Sequence, residues 1–361
     1  MALRVRPDLS RIEAYRPGRA IAEVARTYGI DDVAKLASNE SPEPPWPEVQ
    51  AAIAGAAASV HRYPDNDRPT LTAALAEHLG IESDLIWCGG AANELTFITG
   101  LCMGGPDTSA VYAWPSFSLY RITTLAAFSR DLAVPLTPDH RHDLDAMLGA
   151  VADDTTILYV CNPNNPSSTH VSGDDLEAFI DAIPDDVLVM VDEAYAEFAT
   201  APDYRSMIPL AVSRPNVMVI RTFSKVYALA GLRVGYAVTA ASSIHEFRRV
   251  QLPFSVTGVA EAAAVEALRH QDRVSARVAA NRAAIDGLTA FLRERGFTVP
   301  DSQANFVYTD LGARLPGAVE GLLRMGLIVR PVLPEGWVRI TAGTPEQNDR
   351  LMQAIDDLSS E

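Results

Sequence analysis

The sequence predicts an α/β fold with a mainly parallel central sheet flanked by helices, followed by a smaller α+β domain. Five short runs between residues 109 and 238 are apolar almost throughout, which is typical of strands buried on both faces of a parallel sheet. Helical patterns separate them, as the crossover connections between parallel strands require. The five runs are SAVYAW (109–114), TTILYVCNP (155–163), VLVMVDEA (187–194), VMVIRTF (217–223) and RVGYAV (233–238).

The helices are predicted from their apolar spacing. GDDLEAFIDAI (173–183) begins with acidic residues and repeats apolar residues at helical spacing. Towards the C-terminus the sequence changes to long helical stretches, including 273–297, and then to two strand-like segments, ANFVYTD and WVRITAG. We therefore expect a large domain at 36–265, and a small domain formed by 266–361 together with the N-terminal segment 1–35.

Composition and charge exclude several classes of function. The 361 residues suit about two domains, and a content of 48% hydrophobic and 21% charged residues is typical of a globular protein. A formal net charge of -16 opposes non-specific binding to nucleic acid or to anionic lipid. The three cysteines form no CxxC pair, so we expect neither a disulfide framework nor a metal site. Without a leader pattern or a long apolar run, we expect a cytoplasmic protein.

Polar or reactive residues follow four of the predicted strands. In open α/β sheets ligands bind at the carboxyl ends of the strands, so we expect these residues to meet at one site. They are Phe117, Asn165, Asp192 with Tyr195, and the segment from Thr222 to Lys225.

The segment RTFSKVYALAGLRVGY (221–236) holds one lysine, Lys225, among small and apolar residues. Arg221 and Arg233 lie nearby in sequence. A lysine becomes a useful nucleophile when its surroundings lower its pKa, or when it is held as an imine with a carbonyl cofactor. An isolated lysine is more often a surface residue in an ion pair, so the neighbouring motifs decide between the two.

This segment resembles the cofactor-lysine segment of fold type I pyridoxal 5′-phosphate (PLP) dependent transferases. The resemblance is specifically to the histidinol-phosphate aminotransferase family, with the bacterial aromatic aminotransferases close by. Further motifs of that family recur in order along the chain. They are YRPGR (15–19), KLASNESP (35–42), RYPDND (62–67), CNPNNPSST (161–169), VDEAYAEF (191–198), SQANFV (302–307) and VRITAGTPEQN (338–348).

The resemblance implies three catalytic residues around a PLP cofactor. Lys225 would hold PLP through a Schiff base and then move a proton at the substrate α carbon. Asp192 would pair with the pyridine nitrogen of the cofactor. Tyr195, with Asn165, would donate hydrogen bonds to the phenolic oxygen of the cofactor, and Phe117 would stack on its ring.

The resemblance also implies how the cofactor phosphate is bound. Hydroxyl and guanidinium donors suit phosphate oxygens, as do backbone N–H groups at a helix N-terminus. The neighbouring subunit of a homodimer would contribute Tyr63 of RYPDND. The remaining phosphate ligands would be Thr222, Ser224, Arg233 and the backbone of Ala92 and Asn93 in GGAANE.

On the substrate side, the resemblance implies that Arg339 receives a carboxylate and that Arg330 is associated with a substrate phosphate. Tyr15 and Asn39 are candidates for the substrate mouth. The favoured reaction at this point is transamination between histidinol phosphate and 2-oxoglutarate, a step of histidine biosynthesis. Two alternatives stay open, namely an aromatic amino acid aminotransferase acting on phenylalanine or tyrosine, and a decarboxylase of a phosphorylated amino acid.

The sequence departs from the family pattern at three places. NESPEPPWP (39–47) lies at the expected substrate entrance, so it weakens the assignment of a substrate. NNPSS (164–168) lacks the usual Thr-Gly after its proline. GGAANE (89–94) has alanine where serine is common, which removes one hydroxyl but leaves the backbone donors.

Overall fold

The structure, a computed structural model, describes residues 3–15 and 17–360. Within them the strands are β1 (Ala34–Lys35), β2 (Ile86–Gly89), β3 (Ser109–Trp114), β4 (Arg130–Pro135), β5 (Thr155–Cys161), β6 (Leu188–Asp192), β7 (Val217–Thr222), β8 (Gly235–Val238), β9 (Phe306–Thr309), β10 (Leu327–Ile328), β11 (Arg330–Val332) and β12 (Trp337–Thr341).

The α-helices of the described residues are α1 (Ile21–Tyr28), α2 (Pro47–Ala57), α3 (Pro69–Leu79), α4 (Ala91–Met103), α5 (Leu119–Ala126), α6 (Leu144–Gly149), α7 (Gly173–Asp181), α8 (Ile208–Ser213), α9 (Ala241–Phe247), α10 (Gly258–Leu268), α11 (Gln271–Glu294), α12 (Leu311–Arg314), α13 (Ala318–Arg324) and α14 (Pro345–Ser360).

Seven strands form the central sheet in the order β2-β8-β7-β6-β5-β3-β4. The five strands from β7 to β4 run parallel, while β8 is antiparallel to both of its neighbours. Apolar side chains of β3, β5, β6 and β7 pack into two buried clusters, one on each face of the sheet. The runs are continuously apolar because both faces of these strands are buried, as inferred from the sequence. The predicted α/β fold is confirmed.

The C-terminal part contains a three-stranded antiparallel sheet, β11-β12-β9, and a short parallel pair in which β1 joins β10. A separate apolar cluster surrounds these strands. Helix α11 has 24 residues and is thus about 36 Å long. It reaches from the core of the central sheet at Val274 to the second cluster at Ile285 and Leu288, so it holds the two cores in one arrangement.

The beginning of the predicted helix α7 is explained by a local capping interaction. Helix α7 begins at Gly173 because the hydroxyl of Ser172 accepts a hydrogen bond from the backbone N–H of Asp175 at 3.1 Å. Two strands of the central sheet, β2 and β4, were not predicted, nor were the short strands β1, β10 and β11. Strand β2 has only four residues and ends in glycine, while β4 is a partly exposed edge strand with polar residues. The predicted domain limits, 36–265 and 1–35 with 266–361, stay a prediction.

Candidate active site

The carboxyl ends of the parallel strands open onto a cavity of about 260 Å³. Its walls contain the residues that follow β3, β5, β6 and β7, as the parallel topology requires. Two site residues expected from the sequence, Tyr63 and Arg330, do not line it. The expected residues that do line it are Tyr15, Asn39, Ala92, Asn93, Phe117, Asn165, Asp192, Tyr195, Thr222, Ser224, Lys225, Arg233 and Arg339.

Lys225 follows β7 and extends its amine into this cavity. The Nζ atom donates a hydrogen bond to the carbonyl oxygen of Ser38 at 3.3 Å and lies 5.7 Å from the ring centroid of Tyr195. Burial lowers the pKa of Lys225 to about 7, and the positive charge of Arg339 is the next largest cause. A substantial fraction of the amine is therefore uncharged near neutral pH, when it can act as a nucleophile or as a base.

Asp192 is the last residue of β6 and is only 3% exposed. Its Oδ1 accepts a hydrogen bond from the backbone N–H of Ala194 at 3.1 Å, and its Oδ2 accepts one from the hydroxyl of Tyr120 at 2.7 Å. Burial raises the pKa of Asp192, while both hydrogen bonds oppose this effect because they favour the ionised form. A buried carboxylate at the cavity wall is suited to pair with a protonated ring nitrogen.

A group of hydrogen-bond donors lies where the end of β7, the segment just before β8 and the N-terminus of α4 meet. The Thr222 hydroxyl donates to Ser224 Oγ at 2.8 Å, and Arg233 Nη1 donates to the same oxygen at 3.3 Å. The N-terminus of α4 adds backbone N–H groups at Ala92 and Asn93. Hydroxyl, guanidinium and backbone donors of this kind are suited to bind a phosphate group.

Gly235 allows β8 to approach the beginning of α4. A Cβ atom at this position would lie 2.7 Å from the carbonyl oxygen of Arg221 and 3.0 Å from the backbone nitrogen of Ala92. Any side chain would push the helix N-terminus away from the strand. The glycine therefore keeps the helix donors close to the donors of Thr222 and Ser224.

Arg339, on β12, is held in a fixed orientation. Its Nη1 donates to Asn165 Oδ1 at 2.5 Å, and its Nη2 donates to the carbonyl oxygen of Ala37 at 2.6 Å. Among the described residues, its Nε has no hydrogen-bond partner. Because burial and the nearby Arg330 both disfavour the charge and lower the pKa of Arg339, an incoming anion would relieve an unfavourable arrangement.

Asn39 is buried rather than open at the mouth, although it lines the cavity. Its Nδ2 donates to the hydroxyl of Tyr195 at 2.9 Å, and its Oδ1 accepts from the hydroxyl of Thr341 at 3.0 Å. Asn39 thus fixes the Tyr195 phenol, and burial raises the pKa of that phenol so that it stays protonated. Tyr15 is 60% exposed and does lie at the rim of the cavity.

Arg330 lies outside the cavity but next to it. Its guanidinium carbon is 5.7 Å from the ring centroid of Tyr15, and it pairs in register with Arg339. Tyr63 is 82% exposed, and its ring stacks on Phe254 with a centroid distance of 4.6 Å. Neither residue touches the cavity of its own chain.

Three contributors to the site were not predicted from the sequence. The Tyr120 hydroxyl donates a hydrogen bond to Asp192, and the carbonyl oxygen of Ser38 accepts one from Lys225. The negative charge of Glu40 raises the pKa of Lys225, but the opposing effects of burial and Arg339 are larger. A signal existed for Tyr120, because it is an aromatic residue only three positions after Phe117, and the two rings are in contact at a centroid distance of 5.7 Å. No comparable signal existed for a backbone carbonyl.

A metal-ligating cluster and a membrane-spanning helix are both absent from the described part of the chain. No group of three or more His, Cys, Asp or Glu side chains in 3–15 and 17–360 is arranged to hold a metal ion. Over the same residues, none of the helices has the length and apolar character needed to cross a bilayer.

PLP combines a phosphate, an aromatic pyridine ring and an aldehyde, and the cavity offers a chemical partner for each. The donors around Ser224 suit the phosphate, the buried carboxylate of Asp192 suits a protonated pyridine nitrogen, and the amine of Lys225 suits the aldehyde. Phe117 provides an aromatic wall. The residues present therefore fit PLP.

Comparison with known proteins identifies similar sequences and structures. Residues 31–355 match the family described as "Aminotransferase class I and II". An aromatic amino acid aminotransferase from Nocardia farcinica is 43% identical, over 99% of this chain and 98% of the relative. A histidinol-phosphate aminotransferase from Geobacillus thermodenitrificans is 39% identical, over 99% of each chain. The crystal structure of histidinol-phosphate aminotransferase from Sinorhizobium meliloti in complex with PLP superimposes with a TM-score of 0.91 at 27% identity, covering 99% of this chain and 98% of that one.

Proposed function

Because the chain belongs to the class I and II aminotransferases, which are PLP-dependent enzymes, we propose that it transfers the amino group of aromatic L-amino acids to 2-oxoglutarate. The observation that carries this proposal is that Arg339 and Lys225 line one small cavity. Burial is the largest cause of the lowered pKa of Lys225, and the positive charge of Arg339 lowers this pKa further.

An α-amino acid carries its amine and its carboxylate on the same carbon atom. A carboxylate bound by Arg339 would therefore hold the amine and the α hydrogen near Lys225. Asn165 and the carbonyl of Ala37 hold the guanidinium in place before the substrate arrives. Histidinol phosphate has no carboxylate on its amine-bearing carbon, so with that donor Arg339 would serve only the half-reaction of 2-oxoglutarate, whereas an amino acid donor would use Arg339 in both halves.

Two further observations favour an aromatic side chain. The ring of Tyr15 at the rim of the cavity offers a face against which a substrate ring can pack. The relative from Nocardia farcinica, at 43% identity, is named an aromatic amino acid aminotransferase. The same site would take 2-oxoglutarate in the second half of the reaction, because its α-carboxylate presents the same group to Arg339.

When bound, PLP supplies an aldehyde for the substrate amine and a ring that delocalises electrons from the α carbon. Lys225 moves the proton at that carbon, since its pKa of about 7 lets it both accept and donate a proton near neutral pH. The negative charge of Asp192 keeps the pyridine nitrogen protonated. Tyr195 and Asn165 donate hydrogen bonds to the phenolic oxygen, and the donors of Thr222, Ser224, Arg233, Ala92 and Asn93 bind the phosphate.

Histidinol phosphate is a second candidate substrate, and one observation favours it. Arg330 and Arg339 are register partners, so two positive charges lie close together where a dianionic phosphate would be attracted. The relative from Geobacillus thermodenitrificans, at 39% identity, is named for that substrate. Only histidinol phosphate would need the charge of Arg330, so a substitution of Arg330 separates the two candidate substrates.

We also propose that the working unit is a homodimer in which Tyr63 reaches the site of the partner. Tyr63 and Phe254 form a stacked pair on the surface, 82% and 38% exposed respectively. Exposed apolar residues of this kind mark interaction surfaces. Others on the same segments are Val60, Val250 and Leu252.

The test is a single-turnover half-reaction on PLP-loaded protein, followed by the absorbance of the cofactor. We expect L-phenylalanine to convert the cofactor at least about ten times faster than histidinol phosphate does at equal concentration, a difference of roughly 1.4 kcal/mol. Faster conversion by histidinol phosphate would contradict the proposal and select the second candidate.

A matched pair of compounds tests the role of Arg339. L-Phenylalaninol differs from L-phenylalanine only in having a hydroxymethyl group in place of the carboxylate. We expect the wild type to react much faster with L-phenylalanine, and the variant Arg339→Met to lose most of this preference. An unchanged preference would show that Arg339 does not bind the carboxylate.

A further inference from the structure

Tyr120 lies in the first turn of α5, three residues after Phe117, and is completely buried. Its hydroxyl donates a hydrogen bond of 2.7 Å to Asp192 Oδ2. The other carboxylate oxygen is bound by the backbone of Ala194 at 3.1 Å. Tyr120 is thus the side-chain donor that fixes the orientation of this carboxylate.

Aromatic packing determines where the phenol of Tyr120 points. Its ring stacks on Tyr159 of β5 with a centroid distance of 4.9 Å and an interplanar angle of 13°. Its edge contact with Phe117 has a centroid distance of 5.7 Å and an angle of 89°. Since the ring has these two contacts and is completely buried, its hydroxyl has little freedom to leave Asp192, and the same ring supports Phe117 in the cavity wall.

The hydrogen bond also acts on the charge of Asp192. Burial raises the pKa of Asp192, and the Tyr120 hydroxyl is the largest effect that opposes this rise. The backbone of Ala194 and the charge of Lys225 act in the same direction as Tyr120, whereas the charge of Glu193 acts against them. A donor to the ionised oxygen favours the carboxylate over the carboxylic acid.

We propose that Tyr120 is a positioning residue for the cofactor, which keeps the Asp192 carboxylate ionised and aimed at the pyridine nitrogen while its ring supports Phe117. This inference rests on the proposed place of Asp192 beside the pyridine nitrogen. It assigns a function to a buried phenol that makes no contact with the cavity.

The test uses PLP labelled with 15N in its pyridine ring and bound to the full-length protein. The chemical shift of this nitrogen reports directly whether it is protonated, and equilibrium dialysis gives the PLP dissociation constant. Tyr120→Phe removes the hydroxyl and keeps both ring contacts. We expect the pyridine nitrogen to lose its proton at a lower pH than in the wild type, and the dissociation constant to rise about ten-fold.

Tyr159→Phe is the matched control. It removes the hydroxyl of the stacked neighbour, for which no hydrogen-bond partner is found among the described residues. We expect both readouts to match the wild type, because the Tyr159 phenol does not bind Asp192. If Tyr159→Phe and Tyr120→Phe shift the nitrogen equally, the effect comes from general packing and the proposal is overturned.

Asp192→Asn separates this proposal from the proposed function on which it rests. If Asp192→Asn leaves the nitrogen signal unchanged, Asp192 does not bind the pyridine nitrogen and the assignment of the site fails. If Asp192→Asn abolishes protonation while Tyr120→Phe has the wild-type titration, only the role of Tyr120 fails.

A second replacement covers the case in which Tyr120→Phe does not fold. Incorporation of 3,5-difluorotyrosine at position 120 keeps the shape of the residue and makes the phenol a stronger donor. We expect the pyridine nitrogen to retain its proton to a higher pH than in the wild type. An unchanged or opposite titration would overturn the proposal.

Discussion

Arg330 on β11 and Arg339 on β12 are register partners across an antiparallel ladder. Residues directly opposite each other project from the same face of a sheet, where like charges normally destabilise the pair. The charge of Arg330 contributes, after the larger effect of burial, to the lowered pKa of Arg339. An anion bound beside these two guanidinium groups, as proposed above, would offset their mutual repulsion.

Arg330→Met is expected to separate the two candidate substrates. It removes a guanidinium group suited to a phosphate, so the half-reaction with histidinol phosphate should slow by roughly 10-fold or more. The half-reaction with L-phenylalanine, whose carboxylate would bind Arg339, should change by less than about three-fold. Both rates are measured by single-turnover absorbance.

Arg324→Met, at an exposed arginine paired with Glu320, is the control. Equal losses with the two substrates would show that Arg330 does not bind a phosphate.

The pKa of Lys225 is expected to depend on Arg339. Removing a positive charge favours the protonated amine, so Arg339→Met should raise the Lys225 pKa above its value of about 7. The chain has only two lysines, Lys35 and Lys225, which makes the amine simple to follow. In cofactor-free protein carrying Lys35→Arg, the rate of lysine modification is measured against pH by peptide mass spectrometry. A midpoint that stays in place, or moves to lower pH, would contradict the electrostatic coupling.

Lys225 is expected to hold the cofactor covalently. Borohydride treatment of the PLP-loaded protein should attach the cofactor to the peptide that contains Lys225 and leave Lys35 unlabelled. Lys35 does not line the cavity, and its amine is paired with Glu40 at 2.9 Å. Lys225→Ala should abolish turnover while non-covalent PLP is retained through the phosphate and ring contacts. Normal multiple turnover by Lys225→Ala, or labelling of Lys35 alone, would refute the assignment.

Mixed dimers are expected to show whether Tyr63 acts in the site of its partner. Tyr63→Ala and Lys225→Ala should each reduce activity strongly as homodimers. A dimer with one chain of each kind keeps one complete site if Tyr63 reaches across, because Lys225 of one chain then meets Tyr63 of the other. We expect activity to reappear after the two variants are dissociated together and reassembled. Absence of recovery, with dimers verified by light scattering, would mean that Tyr63 acts in its own chain or not at all.

The chemistry of the cofactor site could be predicted from short segments of sequence. Four consecutive positions contain Thr222, Ser224 and Lys225, and another four contain Asp192 and Tyr195. Because each group follows a strand of a parallel sheet, their meeting at one edge follows from topology. The same reasoning could not identify β4, an edge strand whose polar, partly exposed residues do not repeat the apolar pattern.

The sequence by itself determined the fold class and which residues follow the parallel strands, because these depend on local patterns of apolar and polar residues. The role of Lys225 as the cofactor lysine is implied by the family resemblance and stays a prediction. Only the tertiary structure decided which residues, distant in sequence, form hydrogen bonds with these site residues. Arg339 binds Asn165 across 174 positions and Lys225 binds Ser38 across 187, while Tyr120 meets Asp192 across 72. Such contacts depend on how helices and strands pack, and no local pattern encodes a distance between residues so far apart in the chain.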